Sequence, residues 1–201
     1  MTLEKTKPLR TALFVPGNQP DRIDKAVGLD ADAVIIDLED AVPLNQKVET
    51  RHIVKEKSVQ YLDHRVFVRV NSVDSGLIED DLSQIVHQGL SGIVFPKIDS
   101  REALIEINSL LLQIEKKSGI YPHFIEILAL IESARGVQNI FEIVSTKLNP
   151  PRLLTVAFGS ADYALDLGIK RTKDGTELDY ARASIPIACR AARITAPIDT
   201  P

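Results

Sequence analysis

A parallel α/β fold built from repeated strand–helix units is what this sequence predicts, and two patterns predict it. The first is a series of short apolar runs rich in β-branched residues, at 11–15, 33–38, 66–70, 92–95, 124–131, 153–158 and 193–198, whose starts recur about 20 to 40 residues apart. Near-continuous apolar strands are what a sheet covered on both faces requires. The second is the helical spacing of apolar residues between those runs, at 22–29, 46–62, 77–87, 101–117, 137–145 and 178–192. Stretches of that length suit right-handed crossovers between parallel strands. Asp99, with Glu102 three residues on, reads as a capping box that opens the fourth helix.

An open doubly wound sheet and an eight-stranded barrel both begin this way. The residues that end each run favour a TIM-like (βα)8 barrel. They are Pro16-Gly17-Asn18, Asp37-Leu38-Glu39-Asp40, Arg69-Val70-Asn71, Pro96-Lys97, Glu132-Ser133, Gly159 to Asp162, and Asp199. Charge follows nearly every apolar run, at the edge where barrel enzymes carry their chemistry. A doubly wound sheet would gather it at one crevice. Only about seven strands fit within the 201 residues. The expectation is therefore a single barrel domain over 1–201 that lacks an eighth βα unit and a C-terminal tail, or that relies on another chain.

Composition narrows the function classes. Formal net charge is −4, and no run of Lys or Arg marks a nucleic-acid or membrane-surface protein. Cys189 is the only cysteine, so no internal disulfide and no Cys/His metal site can form. The first residues, Met1 to Lys7, lack the apolar core of a signal peptide, and no apolar stretch approaches the ~20 residues a membrane helix needs. A soluble, cytoplasmic protein is expected.

Glu132 and Asp162 carry the strongest chemical signal. They follow the fifth and sixth runs, and neighbouring parallel strands lie about 4.8 Å apart, so both carboxylates can reach one point above the mouth. Two acids without a basic partner repel, and a divalent cation resolves the conflict. Magnesium suits them, since it takes one or two carboxylates and keeps positions for water and substrate. The alternative is that both acids cap loops. Arg69, inside a β-branched strand, is costly to bury without an anion. It either holds a substrate carboxylate through its planar fork or pairs with Asp37 or Glu39. Asp37, Glu39 and Asp40 could orient metal-bound water or Arg69, or be ordinary polar residues of the mouth. Phe14-Val15-Pro16-Gly17 ends the first strand in a rigid turn, with the backbone N–H groups of Gly17 and Asn18 expected free to receive an anionic oxygen. Arg22, Lys25, Lys47 and Arg51 stand at the starts of the first two helices, where cations oppose the helix dipole; this hints at an external phosphate, against solvated surface charge as the alternative. His52, His64, His87 and His123 show no ligand spacing.

In order along the chain, Leu13-Phe-Val-Pro-Gly17, Asp32-Ala-Val-Ile-Ile-Asp-Leu-Glu-Asp-Ala-Val42, Val68-Arg-Val-Asn71, Pro96-Lys97, Ala129-Leu-Ile-Glu-Ser133, Phe158-Gly159 with Asp162, and Gly175-Thr-Glu-Leu-Asp-Tyr-Ala-Arg182 form one set. The set resembles the citrate lyase β-subunit and malyl-CoA lyase group of the HpcH/HpaI aldolases. That resemblance implies a magnesium-binding TIM-like barrel that cleaves or forms a 3-hydroxyacyl thioester, such as citryl-, malyl- or citramalyl-CoA, giving a 2-oxoacid and an acyl thioester. It places Glu132 and Asp162 as metal ligands, and Arg69 as the arginine on substrate carboxylate and enolate; Asp37 and Glu39 join Arg69 in the expected catalytic group on their position at the neighbouring strand end, not on the resemblance. Phe14, Pro16 and Gly17 line the oxoacid pocket, and Arg22 and Lys25 lie near CoA phosphates. The implied partners are a CoA or acyl-carrier thioester, further copies in a trimer or hexamer, and other lyase subunits. Three alternatives remain: a class II pyruvate-type aldolase without CoA, a subunit whose activity needs partner chains, and an inactive barrel fragment. One departure is Ala161, where many relatives carry Glu just before the metal-binding Asp. A second is that the family continues past the motif seen here as Pro197-Ile-Asp199.

Overall fold

The structure, a computed structural model, describes residues 9–121 and 125–200. Six strands make one parallel sheet: β1 (Ala12–Pro16), β2 (Ala33–Asp37), β3 (Val66–Arg69), β4 (Gly92–Phe95), β5 (Glu126–Ile131) and β6 (Leu153–Phe158). Their order in the sheet is their order in the chain. A doubly wound sheet starts in its middle and reverses, so this order selects barrel topology. The helices are α1 (Pro20–Val27), α2 (Lys47–Gln60), α3 (Ile78–Ile85), α4 (Arg101–Lys117), α5 (Ala134–Gln138), α6 (Ile140–Ser145), α7 (Ser160–Asp166) and α8 (Asp179–Ala192). Among the described residues, no helix is long and apolar enough to cross a membrane.

Both faces of the sheet are apolar, which is why the strands read as unbroken runs. Val34, Ile36, Val66, Val68, Ile93 and Phe95 point to the helical layer and join the main core. Their alternates, Ala33, Ile35, Phe67, Val94, Leu128 and Ala157, form a second cluster on the barrel's inner side. The period of two along a strand makes this division.

Four expectations are corrected. The run at 193–198 is not a strand. Arg193 takes a left-handed conformation (φ 61°) that ends α8, and the segment returns to the sheet only at Ile198. There Ile198 donates to the Val156 carbonyl at 3.0 Å and accepts from the Phe158 N–H at 2.9 Å. The N-cap of α4 is Ser100, whose hydroxyl accepts the Ala103 N–H at 3.2 Å, so Asp99 begins no capping box. The stretch 137–145 is two short helices that meet at Asn139, whose amide donates to the Asp99 carbonyl at 2.9 Å. Helix α7 lies in a segment assigned to no element. Phe124, at the start of the fifth run, and His123 lie outside the described residues.

A buried polar chain braces the strand ends. The Lys47 ammonium donates to the carbonyls of Leu38 (2.6 Å) and Glu39 (2.7 Å) and to Asn71 Oδ1 (2.7 Å). Asn71 donates its amide to Asp81 at 2.6 Å, and Asp81 accepts Arg51 Nε at 2.7 Å. The loop after β2 is thus tied to β3, α2 and α3 with each charge partnered, as burial demands.

Candidate active site at the strand ends

The C-terminal ends of the strands enclose a cavity of about 610 Å³. Phe14, Pro16, Asp37, Arg69, Glu132 and Asp162 all line it, so the sheet gathers six of the ten expected site residues. Glu132 directly follows β5 and is 5% exposed. Its Oε1 accepts the Lys97 N–H at 2.8 Å, a bond reached through a left-handed backbone at Lys97 (φ 55°). Its Oε2 lies over Gly159, where a Cβ would stand 2.5 Å away, so that position suits only glycine. Asp162 sits in the first turn of α7, after β6.

Burial pushes the Glu132 carboxyl above the usual range; the Lys97 N–H pulls it back, and Asp162 pushes it up further. A cation between the two acids would reverse both unfavourable effects, and a two-carboxylate donor set of oxygens suits a hard divalent ion. The residues therefore fit magnesium. Among the described residues, no group of three or more His, Cys, Asp or Glu is placed to hold a metal, so substrate or water would complete the shell.

Arg69 is spoken for on one edge. Its Nε and Nη2 donate to Asp37 Oδ1 and Oδ2 at 2.7 and 2.6 Å. Asp37 also accepts the N–H groups of Glu39 (2.8 Å) and Ala41 (3.0 Å), so four donors engage its carboxylate. The pairing alternative for Arg69 is thus present, and the side chain keeps one edge for other anions. Its Nη1 faces Glu39 Oε2 at 3.1 Å and Asp40 Oδ2 at 3.2 Å, and its guanidinium lies 5.3 Å over the Phe14 ring. Burial raises the Glu39 carboxyl to about 7 against the opposing charge of Arg69.

The remaining expectations fare differently. The Gly17 N–H is not free, because it donates to the Asp37 carbonyl at 2.9 Å. Gly17 is instead a packing position, where a Cβ would stand 2.6 Å from that same carbonyl oxygen. Arg22 and Lys25 are exposed and line no part of the cavity, and Lys25 lies in the last turn of α1. Lys47 and Arg51 are buried structural ties, so neither awaits a phosphate. Three participants carried no sequence signal strong enough to assign a role: Lys97, which orients Glu132 through its backbone; Gly159, which makes room for that carboxylate; and Arg171, which lines the cavity.

Fold and mouth together define an α/β protein of barrel topology with an acid- and arginine-lined cavity at its strand ends. The chain belongs to the HpcH/HpaI aldolase/citrate lyase family, whose model matches residues 10–200. It is 37% identical over 189 residues to the citrate lyase subunit beta of Leuconostoc mesenteroides subsp. cremoris, covering 93% of this chain and 62% of that protein. It is 31% identical over 190 residues to a (3S)-malyl-CoA thioesterase of Cereibacter sphaeroides, covering 94% of this chain and 61% of the relative. A Mycobacterium tuberculosis citrate lyase beta subunit, solved in complex with oxaloacetate and magnesium, superposes with a TM-score of 0.73 at 26% identity, over 99% of this chain and 80% of that one. The chain thus spans a little over three fifths, 61–62%, of the length of these two curated relatives.

Proposed function

We propose that the protein is a magnesium-dependent carbon–carbon lyase that cleaves, or in reverse forms, a 3-hydroxyacyl thioester, giving a 2-oxoacid and an acyl thioester. The observation that carries this reading is the convergence of Glu132, Asp162 and Arg69 on one cavity at the strand ends. The similarity to citrate lyase beta subunits, one solved with oxaloacetate and magnesium, supports it. Homo-oligomeric assembly and work alongside other lyase subunits belong to the same proposal.

Magnesium, when bound, supplies Lewis-acid polarisation of the oxygen that becomes the 2-oxo group. The residues supply the remainder. Glu132 and Asp162 hold the ion, with Lys97 fixing one carboxylate oxygen of Glu132. Arg69 Nη1 receives a substrate carboxylate or the negative charge of the departing enolate in place of Glu39 and Asp40, which face it here. Asp37 locks the arginine's orientation through its two bonds. Phe14, 41% exposed, stands against the guanidinium and covers the pocket's side.

The test is cleavage of citryl-, malyl- and citramalyl-CoA beside that of a free 4-hydroxy-2-oxoacid, with magnesium and with excess EDTA. Thioester cleavage that needs magnesium is expected, with a fall of roughly 100-fold or more in Glu132→Gln and Asp162→Asn. Full turnover in EDTA would sink the proposal. Activity confined to the free hydroxy-oxoacid would select the pyruvate-type aldolase.

A further inference from the structure

Asp162 is carried by α7, whose N-cap is Gly159, a residue with no side chain to cap the first turn. A helix begins with four N–H groups that need acceptors from elsewhere. Here an acceptor comes from Thr200, 40 residues on in the chain. Its Oγ1 lies 3.1 Å from the Ser160 hydroxyl oxygen and 3.4 Å from the Ser160 nitrogen, and it donates to the Phe158 carbonyl at 2.9 Å. A hydroxyl has one proton and two lone pairs. With the Thr200 proton on Phe158, the Ser160 hydroxyl is the donor of its pair, and Thr200 Oγ1 is fully engaged. Ser160 is 2% exposed, so water is a poor substitute for these bonds.

The backbone explains why a side chain makes this contact. Ile198 pairs in parallel with β6, donating to Val156 and accepting from Phe158. The next rung of such a ladder would run from the Thr200 N–H to the Phe158 carbonyl. Instead the Thr200 N–H turns to Asp199 Oδ1 at 2.9 Å, and the hydroxyl takes the carbonyl. Arg182 of α8 holds this turn: its Nε donates to Asp199 Oδ2 at 2.9 Å and its Nη2 to the Thr200 carbonyl at 3.1 Å. Bonds therefore run unbroken from α8 through Asp199 and Thr200 to the first turn of α7. Ser160, Asp162, Asp199 and Thr200 all line the strand-end cavity.

We propose that Thr200 is a positioning residue for the metal-binding carboxylate of Asp162, an inference that rests on the magnesium reading of Glu132 and Asp162. Helix α7 has seven residues, and Asp162 stands two after Ser160, so the first turn sets the direction of the carboxylate. The Lys97 N–H fixes Glu132 directly, and the Thr200 hydroxyl fixes Asp162 through the helix that carries it.

The test is magnesium binding by isothermal titration calorimetry on the full chain, in Thr200→Val, Thr200→Ser and Thr155→Val. Valine keeps the shape of threonine without the hydroxyl, and serine keeps the hydroxyl. Thr155 is the control, because its hydroxyl reaches the carbonyls of Thr195 (2.9 Å) and Ala196 (3.0 Å) in the same returning segment but does not line the cavity. Thr200→Val is expected to weaken magnesium binding about tenfold or more, and Thr200→Ser to stay within about threefold of the unaltered chain. Thr155→Val is expected to unfold at a lower temperature by circular dichroism with magnesium affinity unchanged. Equal affinity in Thr200→Val and the unaltered chain overturns the inference, as does a loss in Thr200→Ser as large as that in Thr200→Val. A matching loss in Thr155→Val overturns it too, because general loosening of the segment would then account for the effect. A chain that binds no magnesium sinks the metal reading and this inference together, whereas magnesium binding without thioester cleavage sinks the lyase reading alone.

Discussion

Asp37 and Glu39 stand two residues apart in one acidic motif and do different work. Asp37 accepts four hydrogen bonds and steers Arg69. Glu39 is 7% exposed, and its Oε2 meets Arg69 without a directed hydrogen bond, so burial dominates and its carboxyl is raised to about 7. A carboxyl that titrates higher in the folded chain than its ordinary 4.5 binds its proton more tightly there, so its stabilising contribution is full below pH 4.5 and is lost as pH rises through about 7. Denaturation in urea without divalent cations is expected to show the unaltered chain losing stability across that window relative to Glu39→Gln. Parallel curves for the two proteins would refute it. The sequence showed three acids and one arginine, and left open which acid the arginine takes. A hydrogen-bond partner depends on rotamers and on the loop path, and neither is written in residue type.

At the scale of elements, the site depends on backbone that makes room for side chains. Gly159 follows β6, and a Cβ there would stand 2.5 Å from Glu132 Oε2 and 2.7 Å from its Cβ. Gly159→Ala is therefore expected to push the carboxylate aside and weaken magnesium binding about tenfold or more by calorimetry, with the fold retained. Gly28→Ala is the matching control, because the nearest atom to its added Cβ is a carbonyl oxygen at 3.5 Å. Equal magnesium affinity in the two variants would dissociate Gly159 from the site. Element boundaries were legible within a few residues for α3, α4 and α8, whose apolar spacing is regular. The break at Asn139 was not legible, because a side chain bonding to a distant carbonyl ends that helix; the end of α8 was legible, but not that a left-handed residue other than glycine closes it where a strand was expected.

Across the whole molecule, the far end of the sheet from the cavity is held by charge. Glu115 of α4 and Arg152, just before β6, form two parallel bonds of 2.8 Å, and their side chains are 0% and 1% exposed. Removing one partner leaves the other charge buried and unpaired, so Glu115→Ala is expected to cost about 3–5 kcal/mol in denaturant titrations. Glu115→Ala together with Arg152→Met is expected to recover part of that loss. A single variant within about 0.5 kcal/mol of the unaltered chain would contradict this account.

Residue order alone determined the alternation of strand and helix, the parallel sheet and the edge at which the charged residues gather. Apolar periodicity and charged strand ends are local properties that survive without coordinates. The tertiary structure decided the matters that depend on distance. Strand order, sequential from β1 to β6, distinguishes a barrel from a doubly wound sheet, since both are built from the same local units. The seventh run fails as a strand because its first residue closes a helix and only Ile198 reaches the sheet. Lys47 and Arg51, cations near the start of one helix, proved to be buried ties because the acceptors that satisfy them lie 8 to 30 residues away in the chain. A charge reads as surface or core only once its partners are placed, and the fold places them.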